Sequence, residues 1–141
     1  MEVRLVTTEQ ELKDAYEVRK VVFVEEQNVP LEEEMDSHEN DSLHFVVYDE
    51  GESIGAGRFR ILEGFGKVER ICVHPSHRKK GVGEKLMRKI EEAAKENGVA
   101  EIKLNAQTHA EAFYKKIGYT THSDVFMDAG IPHVAMKKQI M

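Results

Sequence analysis

Among its 141 residues the chain has a single cysteine, Cys72. That excludes an internal disulfide and suits a reducing cytosol. Long apolar runs are also missing. No stretch reaches the roughly 18 apolar residues of a spanning helix, so no membrane association is expected. A basic excess is absent as well: the net charge of −6 argues against a nucleic-acid partner. Of seven histidines only His74 and His77 lie at a ligand-like spacing. No Cys/His cluster has zinc spacing, so no metal is expected. Repeats, low-complexity tracts and linkers are lacking. The opening Met-Glu-Val-Arg-Leu-Val reads as a strand and not as a signal peptide, which predicts a cytoplasmic protein. In bulk the chain is ordinary, with 40% hydrophobic and 33% charged residues. Its length suits one domain, 1–141, with a sizeable core.

The most informative segment is Val68-Glu69-Arg70-Ile71-Cys72-Val73-His74-Pro75-Ser76-His77-Arg78-Lys79-Lys80-Gly81-Val82-Gly83. It reads as a strand, a turn stopped by proline, a basic glycine loop and a helix start. Such a loop offers free backbone N–H groups and the positive end of a helix dipole. Arg78, Lys79 and Lys80 add three cations to an otherwise acidic protein. The guest this predicts is a phosphate, above all a pyrophosphate. Gly81 and Gly83 can adopt positive φ and let a ligand approach the backbone. A P-loop would need Lys-Ser or Lys-Thr after the second glycine, and Glu84-Lys85 stands there instead. A dinucleotide fingerprint would need a third glycine, and Leu86 occupies its place.

Around this segment the pattern alternates strands and helices. Val3 to Val6 form a first strand. Thr8 and Glu11 make a capping box for a helix running to about residue 24, where Asn28-Val29-Pro30 breaks it. Leu31 to Ser42 is strongly acidic, either a solvated loop or short helix, or an acidic lip that attracts an amine. Leu43 to Tyr48, Ser53 to Leu62 and Lys67 to Val73 form a three-strand meander leading into the basic loop. Gly55 and Gly57 inside the second of these strands suggest a bulge or close backbone approach. The helix after Gly83 places Val82, Leu86, Ile90, Ala93 and Ala94 on one stripe, with Glu84–Arg88 and Glu91–Lys95 pairs outside. Ala100 to Asn105 is the next strand, parallel to the one before the loop. A short helix ends at Gly118, and Thr120 to Phe126 with Pro132 to Lys138 close as a hairpin. The fold class is therefore α+β: a mixed, mostly antiparallel sheet with helices on its faces.

Two motifs carry a family resemblance. The pattern Arg-x-x-Gly-x-Gly at Arg78 to Gly83 resembles the pyrophosphate loop of the GNAT superfamily of N-acetyltransferases. Ala110-Glu111-Ala112-Phe113-Tyr114-Lys115-Lys116-Ile117-Gly118-Tyr119 resembles that family's A-x-x-x-Y-x-K-x-G-F/Y helix, in the right order some thirty residues on. Arg19-Lys20-Val21-Val22-Phe23-Val24-Glu25-Glu26-Gln27 is similar to the ElaA-like branch. The resemblance implies the GNAT acyl-CoA N-acyltransferase fold, with the parallel strand pair splayed to admit the pantetheine arm of coenzyme A. It implies acetyl transfer from acetyl-CoA to a primary amine of a small molecule or a protein, by direct attack in a ternary complex. It implies that Arg78, Lys79, Lys80, Gly81, Val82 and Gly83 hold the pyrophosphate. Backbone groups of Ile71, Cys72 and Val73 would hold pantetheine and polarise the thioester carbonyl. Many members of the family dimerise, and a homodimer is the corresponding expectation.

For the chemistry, Tyr114 stands where the family places the acid that protonates the leaving thiolate, against the alternative of a packed helix tyrosine. Glu69 is the candidate base, directly or through water. Period-two alternation puts it on one face with Ile71 and Val73, and the alternative is a surface carboxylate or an ion-paired one, for instance with Arg70 or Lys67. Asn105 could bond the pantetheine arm or the acceptor. Gln107 stands where the family often has Asn, a departure that leaves its geometry open. Cys72 has parity opposite to Glu69, which favours a structural thiol over a nucleophile. Two other functions fit the same residues: an acyl-CoA binding module with little turnover, and an acyltransferase using a longer acyl group.

Overall fold

The computed structural model describes every residue from Met1 to Met141. The strands are β1 (Glu2–Leu5), β2 (Leu43–Asp49), β3 (Glu52–Leu62), β4 (Phe65–Val73), β5 (Glu101–Gln107), β6 (Thr120–Thr121), β7 (Phe126–Asp128) and β8 (Ile131–Gln139). They form one sheet of eight strands in the order β1-β2-β3-β4-β5-β8-β6, with β7 also paired to β8. Every neighbouring pair is antiparallel except β4 and β5. The helices are α1 (Glu9–Arg19), α2 (Leu31–Glu34), α3 (Val82–Glu96) and α4 (Glu111–Lys116).

Local chemistry explains the helix ends. The Thr8 hydroxyl accepts from the Glu11 N–H at 3.1 Å, and the Glu11 carboxylate accepts from the Thr8 N–H at 3.2 Å. This is the predicted reciprocal cap of α1. The α1 rod does not stop at Arg19. It continues to Glu26, but Lys20–Glu26 winds as a π-helix, and the Gln27 N–H reaches the Val22 carbonyl five residues back at 3.1 Å. Such wide turns are uncommon and recur at functional sites. Gly98, at φ 75°, follows the C-terminal cap of α3, where a left-handed residue ends the helix.

Two apolar clusters sandwich the sheet. On one face Ala15, Val18 and Val22 pack on Val46, Ala56 and Cys72. On the other, α3 lays Val82, Leu86, Met87, Ile90 and Ala94 against Phe45, Phe59, Val68 and Ile102, with Tyr114 and Tyr119 closing the end. Leu86 is completely buried, and its truncation to alanine would cost ~2–5 kcal/mol. Three details depart from the sequence reading. Glu91 does not pair outward with Lys95. It turns inward, accepting from the Tyr119 hydroxyl at 2.8 Å and from Lys138 at 3.2 Å. The strand predicted from Thr120 to Phe126 is interrupted, leaving β6 and β7 as separate short partners of β8. The acidic stretch 31–42 is neither solvated throughout nor a free acidic lip: Glu34, Asp36 and Glu39 point into the protein and bind arginines.

A bulge in β4 positions the site. Ala56 pairs with Cys72 and Arg58 pairs with Glu69, so Gly57 alone faces Arg70 and Ile71. Arg70 takes φ 61° there. The extra residue reverses the alternation. Glu69 therefore shares a face with Arg58, Ala56 and Cys72, whereas Ile71 and Val73 pack into the α3 cluster. This corrects the expectation that Glu69, Ile71 and Val73 lie together and that Cys72 lies opposite Glu69.

Candidate active site

The parallel pair β4 and β5 is joined only at Gly66–Ile102, Lys67–Lys103 and Val68–Leu104. Beyond those positions both strands continue, to Val73 and to Gln107, without pairing to each other. A wedge thus opens between their C-terminal ends. Backbone groups along Ile71, Cys72 and Val73 line one side. Asn105, exposed, and Gln107, half-buried, stand on the other.

The basic loop sits at the mouth of this wedge. Gly81 is the N-cap of α3 with φ 80° and ψ 9°, and no side chain caps the helix. The N–H groups of Val82, Gly83 and Glu84 therefore begin the helix without intrahelical acceptors. Lys79 also has positive φ, 63°. The two motif glycines serve different ends. At Gly81 an added Cβ would meet nothing within 4 Å, so the residue is needed for its backbone conformation. Gly83 is ordinary helix, and its Cβ would come within 3.1 Å of Phe113 Cζ, so it lets α3 approach α4. Val82 is buried in the core beneath the loop, while Lys79 and Lys80 are exposed.

Arg78 does not join the two lysines. Its Nη1 donates to Glu26 Oε2 at 2.6 Å, its Nη2 holds the other carboxylate oxygen, and its Nε donates to the Val73 carbonyl at 3.1 Å. Gln107 is engaged as well. It exchanges two amide hydrogen bonds with Gln27, at 2.9 and 3.2 Å, and its Oε1 lies 2.7 Å from His109 Nε2. Neither contact was legible in the sequence, because Glu26 and Gln27 lie 52 and 80 residues from their partners.

The ring of Tyr114 is buried, in edge contact with Phe113 and Tyr119 at centroid distances of 5.0 and 5.8 Å. Its hydroxyl makes no hydrogen bond within the protein. His44 Nδ1 is the one fully buried side-chain polar atom left unpaired, so the Tyr114 hydroxyl retains contact with solvent. Burial, and then the neighbouring Cys72, raise the pKa of Tyr114 well above that of free tyrosine, which keeps it a protonated donor. Cys72 is buried with its Sγ 3.8 Å from the Ala56 carbonyl, and burial pushes its thiol up to about 12. That suits a structural thiol and opposes a thiolate nucleophile.

Glu69 lies between two guanidinium groups. It accepts from Arg58 at 3.0 and 3.2 Å and from Arg60 Nε at 2.8 Å. Burial alone would raise its pKa, but Arg60 and Arg58 outweigh that and hold it below the usual carboxylate range. The ion pair is thus with Arg58 and Arg60, and not with Arg70 or Lys67. It belongs to a larger network that sequence reasoning missed. Arg19 and Arg58, both completely buried, bind Glu34, Asp36 and Glu39, and Arg70 reaches Asp36 and the carbonyls of Glu33 and Glu34.

These features can be set beside known proteins. The chain matches the acetyltransferase (GNAT) domain family over residues 7–140. YjcF of Bacillus subtilis, named an uncharacterized N-acetyltransferase, is 53% identical over 139 residues, covering 98% of this chain and 99% of its own. ElaA of Escherichia coli is 29% identical over 132 residues, covering 89% of this chain and 85% of its own. The ElaA crystal structure superposes with a TM-score of 0.88 at 24% identity, covering 99% of this chain and all of that one (100%). An aminoglycoside 6′-N-acetyltransferase solved with coenzyme A shares the fold at a TM-score of 0.79 and 17% identity, covering 100% of this chain and 98% of its own. The opened strand pair, the glycine-capped helix and the matches across nearly the whole length agree: this chain belongs to the GNAT family of acetyltransferases.

Proposed function

We propose that residues 1–141 act as one N-acetyltransferase domain that passes an acetyl group from acetyl-CoA to a primary amine. The observation that carries this reading is the wedge between β4 and β5, which opens directly onto the uncapped start of α3. A pantetheine arm fits an unpaired strand edge by hydrogen bonding, and a diphosphate fits a helix N-terminus flanked by cations. In this reading Gly81, Val82 and Gly83 supply N–H groups to the diphosphate, and Arg78, Lys79 and Lys80 supply charge. Ile71, Cys72 and Val73 hold pantetheine on one side, with Asn105 and Gln107 on the other.

The reaction needs a neutral amine. Its nitrogen attacks the thioester carbonyl carbon, a C–N bond forms, and the C–S bond then breaks. Backbone N–H groups of the open β4 edge stabilise the oxyanion of the adduct. Tyr114 gives its proton to the departing sulfur and regains one from solvent. The nitrogen of the adduct is far more acidic than the free amine, so a weak base suffices to take its proton. Glu69, kept ionised by Arg58 and Arg60, fits that task through a water molecule. The acceptor is a small-molecule amine or a protein amino group. Glu34, Asp36 and Glu39 are spent internally, so the 32–41 stretch gives less support for a cationic acceptor than its composition implies. A homodimer in the cytoplasm is the corresponding cellular form, and light scattering reads its mass directly.

One observation favours a second reading, an acyl-CoA binding module with little turnover: the two arginines on Glu69 weaken it as a base. A screen of thiol release from acetyl-CoA across polyamines, amino acids, aminosugars and peptides separates the two. Calorimetry with Gly81→Glu tests the site itself. Loss of CoA binding is expected, and unchanged affinity would overturn the assignment of the loop.

A further inference from the structure

The loop cation nearest the wedge is already in use. Arg78 grips both oxygens of Glu26 and covers the Val73 carbonyl at the end of β4. On the other strand Gln27, the next residue along, is fastened to Gln107 at the end of β5. The π-helical segment Lys20–Glu26 thus ends between the two open strands, tied to one through Arg78 and to the other through Gln27.

We propose that Glu26 sets the affinity for the cofactor, because its carboxylate occupies on Arg78 the place that a CoA diphosphate takes. The proposal rests on reading the loop as the CoA site. A carboxylate held bidentately by a guanidinium presents two anionic oxygens in the geometry that a phosphate also offers. The pair is exposed, at 40% for Arg78 and 39% for Glu26, so solvent screens it and exchange is cheap. The diphosphate brings more charge and also meets the N–H groups of α3, which Glu26 does not contact. When Arg78 turns to the diphosphate, the Val73 carbonyl and one side of the segment at Glu26 are released together. The cofactor thereby uncovers a strand edge that its own pantetheine arm needs.

Calorimetric titration with CoA tests this without knowledge of the acceptor. Glu26→Gln removes the competing charge and is expected to tighten CoA binding about two- to five-fold. Arg78→Gln weakens binding, and in the double variant the gain from Glu26→Gln disappears. Glu25→Gln, an equal charge change on the exposed neighbouring residue, leaves the affinity unchanged. The proposal is overturned if Glu26→Gln binds CoA no better than the parent chain, if its gain persists without Arg78, or if Glu25→Gln gives the same gain. In those cases CoA still binds the parent chain and the assignment of the loop stands. A parent chain that does not bind CoA overturns that assignment and this proposal together.

Discussion

Glu39 holds Arg19 and Arg58 with one carboxylate: its two oxygens accept from Arg19 at 2.8 and 2.9 Å, and Oε2 also accepts from Arg58 Nη1 at 2.8 Å. Both arginines lie under the acidic stretch, on the α1 face of the sheet. Removing the charge would leave two buried guanidinium groups short of an anion. Glu39→Gln is expected to cost about 2–4 kcal/mol near neutral pH, measured by urea unfolding. The same site fixes an acid dependence. Burial raises the Glu39 pKa, but Arg19 and Arg58 prevail and lower it to about 2. The unfolded chain binds this proton near 4.5, so the stabilisation is complete above that pH and is lost as pH falls from there toward about 2. The melting temperature of the parent chain should fall through that window, and Glu39→Gln should show a smaller fall. Equal falls would remove Glu39 as the cause.

His44 predicts a second, milder step at higher pH. Its Nε2 lies 2.7 Å from the Glu39 carbonyl and donates to it, while Nδ1 is buried without a partner. Burial lowers the pKa of this imidazole, with the charge of Arg19 acting in the same direction. The unfolded chain takes up the proton first, so stability is full above about pH 6.5 and declines below it, by at most about 1.4 kcal/mol per pH unit. Thermal melts between pH 7.5 and about 5.5 should show this decline. In His44→Gln the decline should vanish, and its persistence would assign the step to another group.

Tyr114→Phe separates chemistry from packing. The hydroxyl bonds to nothing in the protein, and the ring keeps its edge contacts with Phe113 and Tyr119. The variant should keep its melting temperature within a few degrees while kcat falls by about 10²-fold or more. An unchanged rate would restrict Tyr114 to packing.

Cys72 should be inert in the folded protein. Burial pushes its thiol up to about 12, so almost no thiolate exists at pH 8. A thiol-reactive dye should label it only after denaturation, and Cys72→Ala should retain turnover. Rapid labelling of the native chain, blocked by CoA, would reopen a role at the thioester.

Much of the fold was legible because its determinants are local. The Thr8–Glu11 cap and the apolar stripe of α3 each rest on residues a few positions apart, where periodicity and capping rules operate. The loop at Gly81 was legible for the same reason. The face of Glu69 was not, because one inserted residue at Arg70 reverses every later side chain of β4, and only the pairing with β3 reveals it. Arg19 lies within an apolar-looking helix face yet is completely buried, since its anions come from 15 and 20 residues downstream. The partners of Arg78 and Gln107 are more distant still. Sequence patterns report what a segment needs nearby and carry little about which charge meets it across the fold.

The short join between β4 and β5 has a mechanical consequence. Three rungs are all that tie the β1–β4 blade to the β5–β8 blade across the sheet, and every other strand neighbour within each blade is antiparallel. The seam is therefore a short join between two more extensively paired blades, and it lies under α3, whose side chains pack on both blades. Any molecule threaded into the far end of that seam supplies rungs the chain itself does not have, so occupancy should stiffen the whole sheet from its middle outward.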